Sequence, residues 1–270
     1  MLKNITLGQY FPGRSVIHRL DPRSKLVLTF AYIVVLFLAS EPLAYGLLAI
    51  WLAASILLSE LPVRIIFRGM KPLVFILVLT GILNIFYTPG EPLWSFYFIS
   101  VSREGLIQAG MMIWRILMLL AGTFLLTYTT SPILLTDALE RLFGPLKKIR
   151  VPVHELAMMM TIALRFIPTL IEETGKIMSA QRARGADFES GNLIKRAKAL
   201  IPLLVPLFVS AFRRADELAV AMECRCYHGG EGRTRMRQMR LGVLDFAAAL
   251  CFTAMTAAVL AMPHLTGMIW

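Results

Sequence analysis

Five apolar runs divide the chain and predict membrane-spanning helices. They cover residues 26–40, 43–58, 72–87, 105–128 and 243–262, and they carry almost no charge. A helix needs roughly 17 to 25 mostly apolar residues to cross the hydrocarbon core, and each run is near or slightly below that length. The pattern therefore predicts an all-α membrane protein with about five transmembrane helices.

The segment 131–240, between the fourth and fifth runs, is amphipathic rather than uniformly apolar. A first helix is predicted to start at Ser131-Pro132 and to end at Gly144-Pro145. A second is predicted from about 152 to 184 and a third from about 193 to 225. Both start apolar and become polar towards their ends, which suits helices at the cytoplasmic side of a membrane.

Three prolines fall inside the second and third of these helices: Pro168, Pro202 and Pro206. An internal proline removes a backbone donor and bends a helix. We expect these prolines to shape the surface that the two helices form.

The same two helices each finish in a short stretch centred on an arginine. Small residues flank both arginines: Ala183 and Gly185 flank Arg184, and Cys224 and Cys226 flank Arg225. A reduced cysteine behaves as a small hydrophobe. Because small neighbours let a helix end lie close to another surface, the five donors of each arginine can reach a carboxylate or backbone carbonyls there. Both ends are candidate docking points for a partner protein.

Two other interpretations of these stretches compete with docking. Cys224, Cys226 and His228 offer three metal ligands, which would make a metal-binding membrane protein. Their spacing is not the usual zinc-finger separation, and no second Cys or His cluster follows in the predicted cytoplasmic part, so we predict no metal site. Alternatively, both arginines end ordinary solvated helices, which the helix dipole favours.

Motifs for catalysis are not found in the sequence. His154-Glu155 begins like the zinc-protease motif H-E-x-x-H, but Met158 occupies the position of the second histidine. No phosphate-binding loop is present, so the chain is not expected to hydrolyse ATP itself. Arg115 lies inside the fourth apolar run, where an arginine is a candidate coupling residue, although we favour a structural packing role.

Composition and charge place the chain in a bilayer and orient it. Hydrophobic residues make up 57% of the chain, and its mean hydropathy is +0.67, far above a soluble domain. The net charge is +11, and basic residues cluster before the first run, between the second and third runs, and from 147 to 240. Those segments should face the cytoplasm, which puts the C-terminus outside. No cleaved signal peptide is expected.

A basic cluster precedes the fifth run and could bind anionic lipid or nucleic acid: Arg233, Arg235, Arg237 and Arg240. We favour a role in orienting the fifth span and expect no nucleic-acid partner.

Four motifs make the chain resemble the transmembrane T component of energy-coupling factor transporters, a family that includes the cobalt-type permease subunit. They are LDPRSKL at 20–26, ALRFIP at 163–168, AQRARG at 180–185, and RADELA leading into AMECRCY at 214–227. The second arginine motif departs from the commoner Ala-Arg-Gly by placing cysteine on both sides. This change keeps the arginine and the small size of its neighbours.

The resemblance implies a scaffold with no catalytic residues and no cofactor of its own. It implies that the ends carrying Arg184 and Arg225 dock two ABC-type ATPase subunits, which bind the ATP. It also implies a separate small membrane-embedded S component that binds the substrate. The candidate structural or coupling residues of the chain are Arg115, Arg165, Pro168, Pro202 and Pro206.

The expected function is vitamin uptake, and the alternative within the family is cobalt or nickel uptake. The run 229–236 resembles the group II pattern, in which one module serves several S components. The expected organisation is an N-terminal segment with four transmembrane helices (1–130), a coupling-helix domain with both arginine motifs (131–240) and a C-terminal transmembrane helix (241–270). The N-terminus and coupling helices are expected in the cytoplasm.

Overall fold

The computed structural model describes residues 10–39, 41–87, 92–96, 99–188, 192–230 and 238–266. The helices are α1 Val16–Arg19, α2 Pro22–Leu38, α3 Pro42–Leu58, α4 Val63–Met70, α5 Val74–Tyr87, α6 Arg103–Thr129, α7 Pro132–Leu142, α8 Val153–Ala183, α9 Leu193–Glu223 and α10 Val243–Thr266. Short 3₁₀ turns lie at Lys71–Leu73 and Gly144–Ile149. Strands β1 Pro92–Phe96 and β2 Ile99–Ser102 form one antiparallel hairpin. The all-α membrane class predicted from the sequence is confirmed.

Four helical segments of the described residues are long and apolar enough to cross a membrane: Val63–Tyr87, Arg103–Thr129, Val153–Ala183 and Val243–Met262. This set differs from the five predicted spans, since it includes α8 and leaves out α2 and α3. Both of those helices have 17 residues. At about 1.5 Å per residue they reach roughly 25 Å, slightly short of the hydrocarbon core.

The third predicted span begins earlier than the sequence indicated. We expected its apolar run to start at Pro72, but α4 leads through the 3₁₀ turn directly into α5 and the whole segment starts at Val63. Pro72 sits in the first turn of the 3₁₀ element, where its missing N–H interrupts the helical hydrogen-bond ladder. The proline therefore marks a junction between helices and not the start of one.

The chain divides into two compact units. Of the described residues, 10–138 and 238–266 belong to the first, which we call the membrane unit. Residues 139–188 and 192–230 belong to the second, which we call the helix-pair unit. The division into three functional domains that was drawn from the sequence stays a prediction.

The membrane unit packs α2, α3, α6 and α10 around a common core. Leu36 and Leu48 are fully buried, and Met118 and Phe252 extend the same cluster. Large apolar side chains also cover the outside of this unit, including Phe30 and Phe75, each at least 67% exposed. A surface of this kind suits a protein whose solvent is lipid.

A buried polar cluster joins the start of α2 to the start of α10. The Asp21 N–H donates to Asp245 Oδ1 at 2.8 Å, and the Gly242 N–H donates to Asp245 Oδ2 at 2.8 Å. Asp21 caps α2 by accepting from the Arg23 N–H, and it also accepts from the guanidinium of Arg23 at 3.0 Å. Both carboxylates are buried and accept well-placed donors, as buried charges require.

Lys25 extends this cluster to the end of α6. Its Nζ donates to the Thr129 carbonyl oxygen at 3.0 Å and to the His18 carbonyl oxygen at 3.3 Å. Burial lowers the pKa of Lys25 to about 8, against the raising influence of Asp245 and Asp21. The motif at 20–26 thus joins three helices through contacts that its local sequence pattern does not reveal.

Candidate partner-docking site

Helices α8 and α9 pack together through one carboxylate. Glu173 of α8 accepts from Arg214 Nη2 of α9 at 2.6 Å through Oε2, and from the Ser210 hydroxyl through Oε1. The Arg214 and Glu173 side chains are 32% and 22% exposed, so water screens the pair only in part. We call these three residues the Glu173 clasp.

A cavity of about 340 Å³ lies further along the same helix pair. Its lining residues are Ile162, Arg165 and Phe166 of α8 with Leu218, Ala221, Met222 and Arg225 from α9 and its C-terminal end. The residues that line the cavity precede Glu173 on α8 but follow Arg214 on α9. The two helices run antiparallel, and Arg165 lies beside the cavity that Arg225 also lines.

The first predicted docking end is a Schellman motif, the common glycine-terminated helix end. The Ala186 N–H donates to the Gln181 carbonyl at 3.0 Å, and the Gly185 N–H donates to the Arg182 carbonyl at 2.9 Å. Gly185 has φ of +87°, the left-handed conformation that this motif requires. Arg184 is the residue just before it and is exposed to solvent.

The second docking end repeats this geometry. The Tyr227 N–H donates to the Met222 carbonyl at 3.0 Å, and the Cys226 N–H donates to the Glu223 carbonyl at 2.9 Å. Cys226 takes the left-handed position with φ of +54°. Arg225 precedes it and is exposed, as Arg184 is.

The two arginines thus occupy the same position of the same motif. Ala183 and Cys224 each come one residue before an arginine, and Gly185 and Cys226 come one residue after. Cysteine replaces glycine at a left-handed position, where a side chain costs roughly 1 kcal/mol. The hydrogen-bond pattern is therefore the same at both ends. The assigned helix ends differ by one position, since α8 ends at Ala183, directly before Arg184, whereas α9 ends at Glu223, two residues before Arg225.

The ends lie far apart along the helix pair. Arg225 shares a cavity with Arg165, which is 19 positions before Arg184 on α8. At a rise of about 1.5 Å per residue, Arg165 and Arg184 are separated by roughly 28 Å. Such a separation suits contact with two different protein surfaces.

Substituting Cys226 by glycine is expected to stabilise the helix-pair unit by about 1 kcal/mol, because the left-handed strain at φ +54° is removed. Gly185→Ala is expected to destabilise it by a similar amount, since no atom lies within 4 Å of the added Cβ and only the backbone conformation is affected. The midpoint of thermal unfolding in detergent measures both changes.

Gly175→Ala is the matched control for this pair. Gly175 lies inside α8, and its added Cβ would also meet no atom within 4 Å. There alanine is expected to stabilise by up to about 1 kcal/mol, because glycine disfavours a helix interior. An equal response to the alanine substitutions at 175 and 185 would contradict the assigned helix-end geometry.

The other predicted site residues have distinct positions. Pro168 lies inside α8, and Pro202 and Pro206 lie inside α9; both helices continue through them, so their bending role stays a prediction. In the membrane unit, Arg115 Nε donates to the Tyr45 hydroxyl at 2.8 Å, and its guanidinium lies 5.9 Å from the centroid of the Phe37 ring. These contacts tie α6 to α2 and α3 and give Arg115 a packing role.

Metal ligands do not gather in the part of the chain that the structure describes. No group of three His, Cys, Asp or Glu side chains suited to a metal ion occurs there, including around Cys224, Cys226 and His228. The cysteines are free and exposed. The run 231–236 and the arginines at 233, 235 and 237 lie outside the described residues.

The Glu173 clasp and the contacts of Asp245 were not predicted from the sequence. Glu173 was only one of several acidic residues on the polar part of α8, and nothing in its local pattern marked it. Its partner Arg214 begins the motif at 214–219, and that motif was the signal in the sequence for this contact. For Asp245 the signal was an aspartate at the start of the last apolar run, because an unpaired charge is costly there.

The chain is similar to known proteins along most of its length. A family profile described as cobalt transport protein, CbiQ, matches residues 13–236. The chain is 55% identical over 255 residues to "Energy-coupling factor transporter transmembrane protein EcfT" of Acidaminococcus fermentans, covering 94% of this chain and 95% of the relative. Like-named proteins of Clostridium kluyveri and Bacillus subtilis are 56% and 49% identical, covering 93% and 88% of this chain and 94% and 91% of the relatives.

Proposed function

Because the chain belongs to the cobalt transport family, among its energy-coupling factor transporter transmembrane proteins, we propose that it couples two ABC-type ATPase subunits to a separate membrane-embedded S component. The chain is the multi-pass transmembrane component of an energy-coupling factor transporter. In the proposal it catalyses nothing and holds no cofactor, since its partner subunits bind and hydrolyse ATP. The pair of matching helix ends at Arg184 and Arg225 carries this proposal.

Each end has the properties that a docking point needs. The arginine is exposed in the isolated chain, so its guanidinium donors are available to a partner's carboxylate or carbonyl groups. A left-handed residue follows it and turns the chain away from the helix axis, which leaves the arginine at the tip. Arg165, which lines the same cavity as the Arg225 tip, is roughly 28 Å from the Arg184 tip along α8, and such a separation suits two similar ATPase subunits better than one small partner.

Transmission of movement follows from the Glu173 clasp. When ATP brings the two ATPase subunits together, both tips move with them. Glu173 joins α8 to α9 through Arg214 and Ser210, so displacement of one helix is passed to the other. We propose that the resulting tilt of the helix pair reorients the S component and that ATP hydrolysis reverses it.

This proposal requires the helix-pair unit to face the cytoplasm, where ATP is available. The clusters of basic residues favour that orientation for the N-terminus and for 147–240, and they put the C-terminus outside. Helix α8 contains a long apolar stretch and ends in a polar tip. This pattern fits a helix that begins against the bilayer and lies at the membrane interface.

Vitamins are the proposed substrates, because the run 229–236 resembles the group that shares one transmembrane component among several S components. Uptake of cobalt or nickel is the second candidate, and the description of the matching family profile favours it. The substrate-selecting residues would lie on the S component in either case.

Expressing the chain with its chromosomal neighbours and purifying it in mild detergent tests the proposal. Two ABC-type ATPase subunits and a small membrane protein are expected to co-elute, and intact-mass measurement of the complex identifies them. The substrate bound to the small protein then separates vitamin from metal uptake. Purification of the chain without any ATPase subunit, under conditions in which all are expressed, would contradict the proposal.

A further inference from the structure

A cavity of about 310 Å³ inside the membrane unit has no role in the proposed coupling. It is lined mainly by apolar side chains of α1, α2, α3, α6 and α10. Its volume falls at the lower end of the range for sites that bind small ligands, roughly 300 to 1,000 Å³.

The cavity opens towards the surface that meets lipid. Six of its lining residues are also exposed on the outside of the unit: Val16, Ala54, Leu58, Leu244, Ala247 and Cys251. That outer surface is largely apolar, so its surroundings are hydrocarbon rather than water. Lipid is therefore the molecule that reaches the opening at the highest concentration.

Two buried polar groups on the cavity wall have hydrogen-bonding capacity left over. Tyr32 is 4% exposed, and its hydroxyl has no hydrogen-bond partner within the described part of the chain. Lys25 is 6% exposed, and among the described residues its Nζ donates to two carbonyl oxygens, whereas an ammonium group has three donors. Buried polar groups are normally satisfied, so both indicate an acceptor that comes from outside the described part of the chain.

The positions of Lys25 and Tyr32 indicate what kind of molecule supplies that acceptor. Lys25 directly precedes the apolar run of α2, at the depth where lipid head groups meet hydrocarbon. Tyr32 lies further along the same helix, and Gly122 of α6 makes room for its ring, since an added Cβ would lie 3.0 Å from it. A ligand with oxygen acceptors at one end and an apolar chain at the other matches this arrangement.

We propose that the cavity binds one membrane phospholipid, whose oxygen atoms accept hydrogen bonds from Lys25 and Tyr32 and whose acyl chain fills the apolar part. A lipid held in this way contacts five helices of the membrane unit. It would act as a resident component of that unit and would not be transported.

Trp51 reports on the cavity directly, because it is a lining residue. A single-tryptophan protein is made by replacing Trp94, Trp114 and Trp270 with phenylalanine, and phosphatidylglycerol with brominated acyl chains is added in detergent. Saturable quenching of Trp51 at about one lipid per protein is expected, and unbrominated lipid should reverse it. A second protein that keeps only Trp114, which is 49% exposed, controls for lipid in the micelle and should show unsaturable quenching.

Two substitutions then test the site. Tyr32→Phe removes one hydrogen bond and should raise the half-saturating lipid concentration about fivefold, as a loss of roughly 1 kcal/mol implies. Ala248→Phe fills the cavity and should abolish saturable quenching, and Ala248→Met offers a smaller filler if the larger one does not fold.

Three outcomes would overturn the proposal. One is unsaturable quenching of Trp51 that matches the Trp114 control. Another is binding that is unchanged by both Tyr32→Phe and the folded Ala248 variant. The third is saturation by a brominated free fatty acid but not by the phospholipid. None of these outcomes depends on ATPase docking, so the test is independent of the proposed function.

Discussion

Reversing both arginine charges, in the double variant Arg184→Glu and Arg225→Glu, is expected to abolish co-purification of ATPase subunits. Docking would bury each guanidinium against an acceptor on its partner, and breaking a buried charge pair costs about 3–5 kcal/mol. That cost lowers affinity more than a hundredfold for each end. Each single variant should weaken recovery of the ATPase subunits, and the double variant should lose them.

The chain offers a matched control for this experiment. Lys176 of α8 and Arg213 of α9 are exposed on the same two helices but away from their ends. The double variant Lys176→Glu and Arg213→Glu makes the same change in net charge. We expect it to retain the ATPase subunits. Equal losses in the two double variants would mean that overall charge, and not the helix ends, determines assembly.

The single variants separate the two ends further. The Arg225 end has Arg165 beside the same cavity, so its partner meets two guanidinium groups of the helix-pair unit. If each ATPase type uses one end, each single reversal should selectively deplete one of the two masses. Retention of both subunits in the double reversal would exclude these arginines as anchors.

Replacing Asp245 by alanine is expected to destabilise the membrane unit by about 2–4 kcal/mol. The substitution leaves the buried N–H of Asp21 without its acceptor, at roughly 1–3 kcal/mol, and removes the part-buried hydrogen bond from the Gly242 N–H, at roughly 0.5–1.5 kcal/mol. It also removes an anionic neighbour of Lys25. For a chain of this size the thermal midpoint should fall by on the order of 10 °C, measured by unfolding in detergent.

Asp245→Asn and Asp216→Ala are the controls for this change. Asparagine keeps one acceptor oxygen in place and should give an intermediate loss. Asp216 is an exposed acid on α9, and its substitution should leave the midpoint within about 1 °C, since surface changes are usually near neutral. An unchanged midpoint in Asp245→Ala would contradict the role of this residue in joining α2 to α10.

The helices were predictable because the signals that specify them are local. The second and third amphipathic helices were expected at 152–184 and 193–225 and are found at Val153–Ala183 and Leu193–Glu223. Apolar periodicity and helix-end residues lie within a few turns of one another and need no knowledge of the rest of the fold. The start of α4 was missed because Arg64, Arg68 and Lys71 interrupt the apolar pattern before residue 72.

Only the tertiary structure could decide which distant residues meet. Asp21 and Asp245 are 224 positions apart, and Glu173 and Arg214 are 41 apart. Such contacts depend on how helices cross and which side chains face each other, which one sequence pattern does not specify.

By itself, the sequence determined the membrane class, the helical segments and the two arginine tips with small neighbours, since hydrophobicity, periodicity and residue size are properties of short segments. The tertiary structure decided that both tips share one backbone geometry, that Arg165 and Arg225 line the same cavity, and that Lys25 and Tyr32 line another. These features depend on hydrogen bonds and packing, which exist only after the chain has folded.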